Sequence, residues 1–125
     1  MSERIVTIGT HRFTQIVCLD ELGAGGACHK YEVRTAEVPE DSVAPHQIFG
    51  QIHFQNGPIK EVGVNGLHNE DLLVVVIDRL QHFQKGPFAC RENALALTKI
   101  EEAVHWLNHR TAERQSRNVE GTSVK

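Results

Sequence analysis

Leu97, Ile100, Val104 and Leu107 follow one another at alternating steps of three and four, and the same stripe continues through Thr111 and Arg114. That spacing puts all six on one face of an α-helix. The first four need an apolar partner; the last two face something else. Arg110, Arg114 and Arg117 recur at i, i+4 and i+7, with Glu113 as the one counter-charge among them. The pattern predicts a helix from about Arg91 to about Arg117, roughly 40 Å long at 1.5 Å per residue. Asn118 ends it in the left-handed conformation.

Leu72 to Ile77 is an unbroken apolar run that alone would suit a strand. Leu73, Ile77, Leu80 and Phe83 keep helical spacing beyond it, and Asp78-Arg79 would break a buried strand, so a helix is expected. Asn69 caps it, with Glu70 and Asp71 at the positive end of the dipole. Gln84-Lys85-Gly86-Pro87 closes it, Gly86 serving as a left-handed cap. The short connection makes the pair an antiparallel helical hairpin. A helix apolar all round must be covered on more than one side. One sheet and one neighbouring helix cannot do that in so short a chain, which points to a homo-oligomer.

The first half alternates as strands do. Ile5 to Ile8 and Thr14 to Leu19 flank a turn at Gly9-Thr10-His11, and His29 to Arg34 alternates around Tyr31 and Val33. Between them, Gly23 to Gly26 lacks the spacing of a phosphate-binding loop and suits a hairpin loop. Ala36 to Pro45 is a loop. Ile48, Gly50, Ile52 and Phe54 mark the buried face of another strand, and after the turn Gln55-Asn56-Gly57-Pro58 the strand pattern resumes at Val62-Gly63-Val64. The expected fold is α+β: a small antiparallel sheet over residues 1–66, then a helical hairpin over 67–125 packed with it as one domain.

Composition narrows the chemistry. At 125 residues the core is modest. A net charge of -3 excludes a general nucleic-acid binder, so any phosphate recognition is local and suits a small nucleotide. Cys18, Cys28 and Cys90 are odd in number and lack CxxC spacing, which argues for reduced thiols in a soluble intracellular protein. No apolar run approaches the roughly 20 residues of a membrane span.

Three groups of residues carry candidate chemistry. The arginine row offers planar forks suited to phosphates; equally, cations at a helix C-terminus complement its dipole, at about 0.3–1 kcal/mol each. Phe83, Phe88, Arg91 and Asn93 gather at the hairpin's closed end, where rings and guanidiniums stack on purines and an amide reads a base or ribose edge. The alternative there is two phenylalanines packing the closed end. His105 and His109, at i and i+4, lack a third ligand, so no metal site is expected. Cys90 has no recognisable His/Asn partner, and no nucleophile–base pair or carboxylate–metal cluster argues for an enzyme. No cofactor is implied. The two candidate groups lie at opposite ends of the long helix, so a shared site requires neighbouring protomers.

Gly57-Pro58-Ile59-Lys60-Glu61-Val62-Gly63-Val64-Asn65-Gly66, then Gly86 to Ala94, then Arg110-Thr111 with Arg114 and Val119-Glu120-Gly121-Thr122, together resemble the phage Thoeris anti-defence protein one family. The resemblance extends through Leu22 to Ala27 and Tyr31. The helical half is also similar to the hairpin domain that this family shares with anti-CBASS protein two. The resemblance implies a non-enzymatic sponge in the cytoplasm of an infected bacterium. It would bind glyco-cyclic ADP-ribose made by TIR-domain proteins and keep it from the immune effector. It also implies a homo-hexamer with pockets at protomer junctions, and in some members a separate site for cyclic di- or trinucleotides. By position, Phe83 would stack on adenine, Asn93 would hydrogen-bond the ligand, and Arg110 and Arg114 would hold base and phosphates. Thr111, Arg117, Glu120, Gly121 and Thr122 would line the arginine end. Where the family has Gly, this chain has Asn118, which also tolerates the left-handed region.

Overall fold

The computed structural model describes residues 3–9, 13–36, 47–118 and 121–123. The chain is α+β and divides into two compact units, one of 1–57 with 62–67, the other of 58–61 with 68–125. In the first, β1 (Arg4–Ile5), β2 (Thr14–Cys18), β3 (Lys30–Thr35) and β4 (Ile48–His53) form an antiparallel meander in that order. Pairing of Ile16 with Val33, Cys18 with Tyr31 and Tyr31 with Ile52 puts these side chains on one face. Tyr31 meets Phe54 edge to face, centroids 5.8 Å apart.

The opposite face holds a buried polar network. Arg34 Nε donates to Gln15 Oε1 at 3.0 Å, and its Nη1 donates to Glu32 Oε2 at 3.4 Å. Gln51 Nε2 donates to the other Glu32 oxygen at 3.1 Å. Gln15 and Glu32 are both buried. An unpaired carboxylate there would be costly, and both of its oxygens are satisfied.

Between β2 and β3 the loop is organised by Asp20, whose Oδ1 accepts the N–H groups of His29 and Lys30, each at 3.1 Å. Desolvation pushes this carboxyl up, but the Lys30 and His29 N–H donors outweigh it and hold the group below its ordinary value. Residues 24–26 form a single tight turn inside this loop. Cys18 and Cys28 are joined as a disulfide across it, contrary to the expectation of reduced thiols. Their separation of ten residues has no motif spacing, and only the return of the hairpin brings them together. Cys90 is free and exposed.

Two strand expectations are corrected. Gly50 and Ile52 share the face of Val33 and Tyr31 and are half-buried, as is Phe54, but a register shift between Val33 and Arg34 pairs Ile48 with Arg34, so the alternation breaks there and Ile48 is exposed. The pattern at Val62-Gly63-Val64 does not become a strand. Ile59–Val62 is a short helix, α1, and Val62 and Val64 are exposed. Amide side chains override the alternation. Gln55 Nε2 donates to the Gly57 and Gly63 carbonyls at 3.1 and 2.8 Å, and its Oε1 accepts the Asn65 N–H. Asn65 in turn binds both backbone groups of Asn56, at 2.8 and 2.7 Å. The excursion closes where Gly66 passes so near Phe54 that a Cβ would collide with the Phe54 carbonyl.

In the second unit, α2 (Asn69–Gln84) and α3 (Arg91–Ser116) form the hairpin. The cap of α2 is His68 rather than Asn69; its N–H donates to Asp71 Oδ2 at 2.8 Å. Gly86 is not left-handed: the last turn closes through Lys85, whose N–H donates to the His82 carbonyl. Asn118 does end α3 in the left-handed region, at φ 61°. Leu72 to Ile77 is helical, with Val74, Val75 and Val76 exposed. No helix among the described residues is long and apolar enough to cross a membrane.

Candidate functional site

The closed end of the hairpin is held by Gln84, which caps Cys90 from both sides. Its Nε2 donates to the Cys90 carbonyl and its Oε1 accepts the Cys90 N–H, both at 3.1 Å. Cys90 Sγ then accepts the Asn93 N–H at 3.4 Å as the cap of α3. The sulfur therefore has a structural partner. These contacts present Phe83 and Phe88 together, rings 6.3 Å apart at 80°. Phe83 is half-buried, Phe88 is 73% exposed, and Arg91 opens α3 exposed. Asn93 Nδ2 donates to the Phe88 carbonyl at 3.3 Å.

One residue here was not singled out from the sequence. Arg79 lies with its guanidinium carbon 4.8 Å from the Phe83 ring centroid. Its signal was present, since it precedes Phe83 by four residues, the spacing that brings helical side chains together.

The three arginines of α3 differ in their surroundings. Arg110 is exposed. Arg114 is only 7% exposed, the one buried residue of α3, and its Nη2 donates to the Thr122 carbonyl at 3.1 Å. Arg117 Nε lies 2.6 Å from Glu113 Oε1. Thr111 Oγ1 donates back to the Leu107 carbonyl at 3.3 Å. Gly121, at φ 79°, has its carbonyl bound by the Lys60 N–H at 2.9 Å. Arg114, Gly121 and Thr122 thus come together; Glu120 lies outside the described residues.

The two groups stay apart within one protomer. Asn93 and Arg110 are separated by about 25 Å of helix at 1.5 Å per residue. His105 and His109 flank Trp106, ring centroids 5.4 and 5.6 Å away. Among the described residues the one group of three metal-ligating side chains is Cys18, Asp20 and Cys28, whose two sulfurs are joined to each other. What the hairpin offers chemically is an aromatic and amide surface at one end and guanidiniums at the other, of which Arg110 is exposed.

The family model of the Acb2/Tad1 hairpin domain matches residues 47–112, slightly more than half of the chain. A protein from Bacillus phage SBSphiJ7 named Thoeris anti-defense 1 is 61% identical over 74 residues. The match takes in 59% of this chain and 52% of that relative, so the chain spans about half the length of the curated relative it matches.

Proposed function

We propose that this chain, which belongs to the Acb2/Tad1 hairpin-domain family, is a phage anti-Thoeris protein that binds glyco-cyclic ADP-ribose and holds it uncleaved in the infected cell. The observations that carry the reading are the family-model match over residues 47–112, which takes in Phe83, Asn93 and Arg110, and the 61% identity over 74 residues to a relative named for anti-defence. In this reading the adenine stacks on Phe83, Asn93 hydrogen-bonds the ligand, and the guanidiniums take the phosphates. Phe88, Arg91, Thr111, Arg117, Gly121 and Thr122 surround those contacts.

Because the two groups stand about 25 Å apart along α3, one ligand reaches both only at a junction of protomers. A homo-oligomer, a hexamer by family resemblance, supplies that junction. Exposed Val74 to Val76, with Trp106 65% exposed, give it apolar surface to bury. Light scattering that returns a 14 kDa monomer at micromolar concentration removes the junctional site.

Sequestration rather than turnover is the mechanism. The test is to saturate the protein with glyco-cyclic ADP-ribose, denature it by heat and chromatograph the supernatant. Stoichiometric recovery of intact ligand supports the sponge. A converted product makes the protein an enzyme, and failure to bind overturns the reading. Cyclic di- and trinucleotides belong in the same titration, where binding that survives saturation with glyco-cyclic ADP-ribose reveals a second site.

A further inference from the structure

At the β2–β3 loop, Cys18 Sγ, Cys28 Sγ and a carboxylate oxygen of Asp20 all lie within 4.8 Å of one another. Both cysteines are buried, at 1% and 8% exposure. The Asp20 carbonyl oxygen also stands 3.2 Å from Cys18 Sγ and 3.6 Å from Cys28 Sγ. Around a tetrahedral zinc ion, bonds of about 2.0–2.3 Å set neighbouring ligand atoms roughly 3.3–3.8 Å apart. The two cysteine α-carbons are 6.5 Å apart, so side-chain rotation brings the sulfurs to that spacing once the bond between them is opened. The surroundings suit an ion as well. Asp20 Oδ1 accepts the N–H groups of His29 and Lys30, which fixes the carboxylate as outer contacts fix the ligands of a metal. Arg4 pairs with Cys18 across the sheet and brings Nη2 to 3.7 Å from Cys28 Sγ. A cation beside a thiol favours the thiolate, which is the form that ligates. Two thiolates and a carboxylate around a divalent ion leave one net negative charge, and the Arg4 guanidinium offsets it.

We propose that Cys18, Cys28 and Asp20, with the disulfide reduced, bind one divalent cation of the zinc class. Two sulfurs and an oxygen select zinc over magnesium or calcium, which take oxygen alone. Two small thiols reduce the disulfide by exchange, giving up two electrons and two protons and ending joined to each other. Zinc then displaces both protons of the protein thiols to solvent as the two sulfur–metal bonds form. The ion closes the same loop as the disulfide, across a sequence separation of 10, so the loop is held in either redox state. The reducing setting rests on the infected-cell reading above. The metal chemistry does not, and its test uses no nucleotide.

The test is Co2+ titration of the full chain carrying Cys90→Ser, reduced with a phosphine and desalted without air. Serine keeps the α3 cap and removes the free thiol. Thiolate-to-cobalt charge-transfer absorption should saturate at a single equivalent, disappear when zinc is added, and be absent from the oxidised protein. In the same background, Cys18→Ser, Cys28→Ser and Asp20→Asn should each weaken Co2+ binding by at least about 10-fold, since losing even an outer-shell partner costs about 10- to 100-fold. Saturating zinc should raise the melting point of the reduced protein and leave that of the oxidised protein unchanged. If the reduced chain unfolds, Co2+ should restore its folded circular dichroism. No charge-transfer band in the reduced protein overturns the proposal. So does a band that Cys18→Ser leaves unmoved, or an unfolded reduced chain that the metal does not refold; the pair is then a disulfide and nothing more.

Discussion

Replacing Arg110 and Arg114 in turn separates a guanidinium proposed to bind ligand alone from one proposed to bind it while also holding the fold. Arg110 is exposed on α3, and arginine and alanine are both good helix formers, so Arg110→Ala should change stability by less than about 0.5 kcal/mol. For a chain of this size that is a melting shift of roughly 2 °C or less. If Arg110 holds a desolvated phosphate, its loss costs about 2–5 kcal/mol of binding, or roughly 30- to 5,000-fold in Kd. Arg114→Met should behave differently. The side chain is buried and donates to the Thr122 carbonyl, a charged hydrogen bond whose loss costs about 1.5–3 kcal/mol of folding. Its melting point should therefore fall by roughly 6–12 °C, and binding should weaken as the turn at 121–123 loosens. Differential scanning calorimetry and titration calorimetry on the same samples read the two effects. If Arg110→Ala binds as wild type and melts a degree or two lower, the arginine row only complements the helix dipole and the binding argument is refuted.

Phe83→Ala should lose about 1–3 kcal/mol of ligand binding as a stacking platform. Its stability loss should stay below the roughly 3–5 kcal/mol of a fully buried ring, because Phe83 is only half-buried against Phe88 and Arg79; unfolding of the variant would make it core. Gly66→Ala should destabilise by about 1–3 kcal/mol in urea, since its Cβ meets the Phe54 carbonyl and that backbone must move. Asp20 has a folded pKa below its unfolded one, so its contribution is complete above about pH 3.9 and is lost as pH falls through the folded value. Asp20→Asn should flatten the acid limb of thermal stability below about pH 4, from the ordinary Asp value downward; an unchanged limb would show that the His29 and Lys30 contacts do not set it.

Local periodicity determined the elements from sequence alone. The steps of three and four at Leu97 to Leu107 specified α3 to within one residue of its end, and Leu73 to Phe83 separated α2 from a strand. Alternation located β2, β3 and β4, and short turns made them a meander. These features repeat along the chain, so neighbouring residues carry enough information to state them. Tertiary structure decided what lacks a period. Val62-Gly63-Val64 has strand alternation, but Gln55 and Asn65 claim the backbone groups that a strand would have used. Cys18 met Cys28 because Asp20 turns the loop back. The three arginines looked equivalent at i, i+4 and i+7, yet Arg114 alone is buried, under a turn that Lys60 helps to hold. Helical spacing fixes which way a side chain points, whereas its burial depends on what distant segment the fold lays over it.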